Sequence, residues 1–166
     1  MLELLTPSSA YYHMISDDPV RPHLPSAWRS THGKQVYALF EDQYAQYAPV
    51  EDEPPRAIIC VAYTNGVAVT EQDLDRNENA NTAMFYTVWS YDRGAGREIV
   101  LATAQHIQDT RPDISRFVTL SPLTEMAERF HIRNGATLLQ RGTECQNFEY
   151  VLDSRTAEPR QKAVQR

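Results

Sequence analysis

The chain has 166 residues, enough for one hydrophobic core and too few for two full domains. Sixteen Lys and Arg stand against 22 Asp and Glu, a net charge of −6, which argues against a protein that coats nucleic acid or an anionic membrane. With 42% hydrophobic and 10% aromatic residues the composition is globular, and no run approaches the ~18 apolar residues of a membrane span.

Residues 1–33 carry Pro7, Pro19, Pro22 and Pro25 and read as an irregular lead-in draped over the body. The N-terminus has neither a basic leader nor a long apolar stretch, and no Cys/His spacing resembles a zinc site. A reducing cytoplasm is therefore expected, without a metal. Cys60, inside an apolar run, reads as a small buried thiol.

Strand formers in Gln35–Phe40 predict the first strand. A proline-marked acidic loop is expected over Glu41–Pro55. Arg56–Tyr63 is nearly all apolar, as in a strand covered on both faces, and Asn65-Gly66 is a turn signal. Val69–Thr82 reads as an exposed loop with room for one short helical turn. Ala83–Tyr91 is the most strand-like segment, and it runs into Asp92-Arg93-Gly94-Ala95-Gly96-Arg97. Ile99, Ala102, Thr103, His106 and Ile107 then mark one face of an amphipathic helix stopped by Pro112, with His106 as a core or boundary residue. Arg116–Leu120 predicts a strand, Ser121-Pro122 a turn or helix start, and Thr124–Ile132 a helix capped by Asn134-Gly135. Strands at Ala136–Arg141 and Phe148–Leu152 precede a polar tail, residues 153–166. The domain proper is thus 34–152. Strand, helix and strand in succession imply one parallel pair in an otherwise antiparallel sheet.

The glycine turn is suited to an anion, because a helix N-terminus presents free amides and a favourable dipole, glycine allows close approach, and Arg93 and Arg97 add charge. A tight turn that merely requires glycine remains the alternative. Ile99 stands where a dinucleotide fingerprint needs its third glycine, and the Gly-Lys-Ser/Thr of a P-loop is absent. Locally, Ser121 could be a helix N-cap and His131 a cap of helix-end carbonyls.

The segment from Tyr91 to Arg97 resembles the pyrophosphate loop of the GNAT superfamily, with Gly94 and Gly96 on its glycines and Tyr91 in place of the usual Gln or Arg. The likeness sharpens further on. Phe117-Val118-Thr119-Leu120-Ser121-Pro122-Leu123 resembles the Phe-x-x-Leu-Ser-Pro-Ile motif of malonyl-CoA decarboxylases, and Phe130-His131-Ile132-Arg133-Asn134-Gly135-Ala136 resembles their Phe-His-Leu-x-Asn-Gly-Ala motif. The likeness covers roughly residues 34–141.

This resemblance implies an α+β fold of GNAT type: a mostly antiparallel sheet with one parallel pair splayed around a CoA site and helices on both faces. It implies a CoA thioester as substrate, no tightly bound cofactor, and Ser121 and His131 as the catalytic pair that stabilises and protonates an enolate after loss of CO2. Tyr91, Arg93, Gly94, Ala95, Gly96 and Arg97 would hold the CoA. N-acyl transfer from acetyl-CoA to an amine, or non-catalytic CoA binding, are the alternatives, and a homo-oligomer is compatible with either. One geometric condition applies. A straight helix over 122–131 would place Ser121 and His131 ~15 Å apart, so joint action requires either a turn at Leu123 and Thr124 before the helix begins or approach of the two side chains to a bound thioester from separate sides.

Overall fold

A computed structural model describes residues 1–41 and 53–153. The expected acidic loop and the polar tail lie mostly outside them. Among these residues eight strands form one sheet: β1 (Leu2–Leu5), β2 (Lys34–Leu39), β3 (Ala57–Thr64), β4 (Thr82–Ser90), β5 (Arg116–Thr119), β6 (Ser121–Pro122), β7 (Thr137–Arg141) and β8 (Cys145–Tyr150). Two α-helices accompany them, α1 (Ala95–Thr110) and α2 (Glu125–Arg133). The order across the sheet is β1-β2-β3-β4-β5-β8-β6, with β7 also paired to β8. All pairs are antiparallel except β4 with β5.

The lead-in corrects the sequence expectation. Leu2–Leu5 extends the sheet by pairing with β2, from Leu2 opposite Leu39 to Leu5 opposite Val36. Four residues ahead of a proline carry little local signal; the free edge of β2 supplies the order by offering a ladder of backbone partners. The rest of the lead-in turns through two 3-10 segments, Tyr12–Asp17 and Trp28–Ser30. The loop after β3 contains the short helical turn foreseen there, Gln72–Asp75.

Each face of the sheet buries its own cluster. Alternation on β2 sends Tyr37 and Leu39 to one side and Val36 and Ala38 to the other. On the first side, Ile99, Val100, Ala104 and Ile107 of α1 pack against Ile59 and Val61, and Phe130 of α2 joins them. On the second, Ile15 of the lead-in and Leu74 pack against Ile58, Cys60 and Met84. All eight residues of β3 are buried, so its apolar run is explained by cover on both faces. His106 is exposed, with its ring 5.6 Å from that of Tyr37 at the rim of the first cluster.

One irregularity in β4 positions everything that follows. Val61 pairs with Phe85 and Cys60 with Thr87, leaving Tyr86 as an extra residue on β4. The bulge resets the alternation: Phe85 and Val88 face α1, whereas Tyr86 and Trp89 face the lead-in. The parallel ladder between β4 and β5 ends at the same level, with Phe85 opposite Thr119 and a last bond from the Leu120 amide to the Phe85 carbonyl. Beyond it the two strands part.

Candidate functional site

Between the parted ends of β4 and β5 lies a largely apolar cleft of about 300 Å3. Phe85, Val88 and Ser90 form one wall, Leu120, Ser121 and Pro122 another, and Gly96, Phe130 and His131 close it from the helical side.

The glycine turn borders this cleft. Gly94 is the N-cap of α1 at φ +84°, a left-handed conformation in which a side chain would be strained, and no side chain caps the helix. Gly96 lies where α1 meets α2: a Cβ there would stand 3.3 Å from the Phe130 ring. Ala95 is buried, and Arg93 and Arg97 are exposed. The acidic neighbours Asp92 and Glu98 would oppose an anion at this helix end, but Arg56 pairs with both, at 3.2 Å and 3.1 Å. Sequence reading passed over Arg56 because it stands 36 or more residues from either partner. Tyr91 is tied away from the turn; its hydroxyl donates to Asp17 at 2.8 Å and accepts from the Trp89 indole at 3.0 Å.

Ser121 is buried in the short strand β6, opposite Gln146. It is not a helix cap. That role falls to Thr124, whose hydroxyl accepts from the Ala127 amide, so α2 begins three residues later than a helix starting at Pro122 would. The delay has a cause in β8. The buried Gln146 amide donates to the carbonyls of Pro122 at 2.9 Å and Thr124 at 3.2 Å, which holds 122–124 as a turn. A turn thus precedes α2, and Ser121 and His131 line the same cleft. The Ser121 hydroxyl is bonded to that of Thr119 at 2.8 Å.

His131 faces inward from the last turn of α2, which closes as foreseen at Asn134-Gly135: the amides of Gly135 and Ala136 return to the carbonyls of Ile132 and His131, with Gly135 at φ +104°. The imidazole does not cap that helix end. It stacks on Phe148 and hydrogen-bonds through Nδ1 to the Tyr150 hydroxyl at 2.8 Å. Burial holds the ring at a pKa of about 4 and pushes the Tyr150 phenol up to about 12, so both are neutral near pH 7. Tyr150 was missed by sequence reading, although strand alternation puts it on the same face as Phe148.

The two cysteines are free, buried thiols. Burial raises Cys60 to about 11 even with the Arg29 guanidinium 3.4 Å from its sulfur, which keeps it protonated. No helix among the described residues is long and apolar enough to cross a membrane.

The architecture is a GNAT-like fold: a central, mostly antiparallel sheet with one parallel pair that opens beside a glycine turn and a helix N-terminus. Its solved counterparts include malonyl-CoA decarboxylase from Agrobacterium vitis, at TM-score 0.61 and 20% identity over 81% of this chain and 36% of that one. The GNAT domain of S. lividans PAT aligns at 0.59 and 13% identity over 91% and 89% of the two chains. An acetyltransferase from Bacillus subtilis in complex with CoA aligns at 0.53 and 10% identity over 89% and 93%. The chain spans about a third of the length of the malonyl-CoA decarboxylases it matches. No protein-family model matches the sequence, and no protein of curated function matches it at significant similarity.

Proposed function

We propose that this protein acts on an acyl-CoA thioester and decarboxylates malonyl-CoA or a related short acyl thioester. The observation that carries the reading is the arrival of Ser121 and His131 in one cleft, beside an uncapped helix N-terminus flanked by two exposed arginines. The CoA phosphates would lie against the Gly94–Arg97 turn and the thioester would reach into the cleft past Gly96.

In this reaction the bond between the carboxylate carbon and the α-carbon breaks, CO2 leaves, and the electron pair moves onto the thioester carbonyl to give an enolate. The developing oxyanion needs aimed hydrogen-bond donors in a site of low polarity. The Ser121 hydroxyl is one. The imidazole, neutral at working pH and held at Nδ1 by Tyr150, has Nε2 left for a ligand and is the second. Delivery of one proton, drawn from solvent and passed on by Ser121 or His131, to the α-carbon completes the acetyl thioester. A neutral histidine also avoids holding the malonyl carboxylate so tightly that loss of CO2 slows, because a cation would stabilise the ground state.

The test is release of labelled CO2 from malonyl-CoA and methylmalonyl-CoA by the purified protein. Ser121→Ala and His131→Ala each lower kcat by about 100-fold or more, with CoA still bound. No CO2 from either thioester overturns the reading. N-acyl transfer is the second reading, favoured by a polar cavity on the far side of the cleft lined by Glu71 and Glu144; acetyl-CoA consumption that depends on an added amine would establish it.

A further inference from the structure

The bulge at Tyr86 opens the sheet toward both faces, and the face opposite α1 is closed by the lead-in. Among its described residues, Val20 is the one that lines the cleft. Val20 and Pro122 also line a second cavity of about 390 Å3, whose other walls include Arg21, Glu71, Glu144 and Cys145. These two side chains therefore stand between an apolar chamber and a polar one.

Val20 is held there from both sides. Its amide donates to Asp18 Oδ1 at 2.7 Å, and the same oxygen accepts from Thr87 Oγ1 at 2.9 Å. On its other side the Arg21 guanidinium donates to the Tyr86 carbonyl, on the bulge itself, and to Glu71 at 2.9 Å. The flanking residues are thus anchored to two successive positions of β4, yet Val20 keeps 36% of its surface exposed. A β-branched side chain on a pinned backbone is a stiff partition.

We infer that Val20 is a specificity-determining residue that limits the length of the acyl group, an inference that rests on reading the cleft as an acyl-thioester site. A thioester passing Gly96 meets Ser121 and His131 first and points its acyl end across the sheet toward Val20. Short acyl groups fit against Phe85, Leu120 and Val20. A longer one must displace the valine or push methylenes against the Arg21–Glu71 pair, which costs desolvation without a compensating partner.

The test uses the full chain and thioesters that cannot lose CO2, so it does not depend on turnover. Acetyl-, butyryl- and hexanoyl-CoA are titrated calorimetrically into the wild type, Val20→Ala and Val20→Phe, with thermal melts to verify folding. In the wild type hexanoyl-CoA binds more weakly than butyryl-CoA. Val20→Ala raises the hexanoyl to acetyl affinity ratio about tenfold, the value of about two methylenes, and Val20→Phe lowers it by a similar factor. A ratio unchanged within about twofold in Val20→Ala overturns the role of Val20 whatever the CO2 assay gives. Failure of all three thioesters to bind the wild type overturns the acyl-thioester reading and the partition with it.

Discussion

On the face covered by α1, the cluster buried between helix and sheet is aliphatic and aromatic and holds no ion pair among the described residues. On the lead-in face, a guanidinium and a carboxylate are buried among the apolar side chains: Arg29 bonds Asp18 at 2.7 Å, with their side chains 1% and 0% exposed. The carboxylate is shared. Asp18 also accepts from the amides of Val20 and Arg21 and from Thr87, so one residue ties the lead-in to itself and to β4. The α1 helix needs no such tie, because sixteen residues with a continuous apolar stripe bury enough area to hold their place. A proline-broken segment has no stripe. Directed bonds to fixed partners replace it, and they fix position more tightly than they add stability.

The contrast breaks first under substitution. Asp18→Ala leaves Arg29 buried without its carboxylate and should cost about 3–5 kcal/mol, against about 3 kcal/mol for Ile99→Ala on the other face. Equilibrium urea unfolding measures both; a smaller loss for Asp18→Ala than for Ile99→Ala would refute the contrast. Asp18→Ala should also loosen the acyl-length limit, since Val20 loses its anchor, whereas Ile99→Ala should not.

Next in size is a pH effect confined to the helical face. His131 titrates at about 4 in the folded protein and at its ordinary 6.5 when unfolded. The unfolded chain takes up the proton first, so stability is complete above pH 6.5 and is lost as pH falls toward 4, by up to ~3 kcal/mol. His131→Gln should remove that part of the acid sensitivity, seen as a stability difference between the two proteins that changes between pH 6.5 and 4. The same depression predicts a turnover rate without an inflection between pH 6 and 7. The smallest effect belongs to the exposed turn. Arg93→Glu should weaken CoA binding about three- to tenfold, more at low salt than at high; an affinity independent of both charge and salt would place the phosphates elsewhere.

What could be read in advance follows the range of the forces involved. The glycine turn, the helix it starts and the Asn134-Gly135 stop are local, so spacing and residue type announced them. β1 was hidden because its order comes from pairing with a strand some 30 residues away. The helix start at Glu125 was left open because it depends on Gln146, and the environment of His131 because it depends on Tyr150, both on β8. Arg56 and Val20 were invisible for the same reason: each acts on a site assembled from distant segments.

The sequence by itself determined the main strands from β2 onward and the two helices in their order, the glycine turn at the head of α1, and the two motifs that carry Ser121 and His131, because each rests on neighbours within a turn or a strand. Only the tertiary structure decided that Ser121 and His131 share one cleft, that Arg56 pairs with Asp92 and Glu98 beside the turn, and that the lead-in closes the opposite face with Val20. The physical reason is the bulge at Tyr86. One extra residue opposite Cys60 and Val61 parts β4 from β5, and only the packed sheet shows which residues fall on either side of the gap.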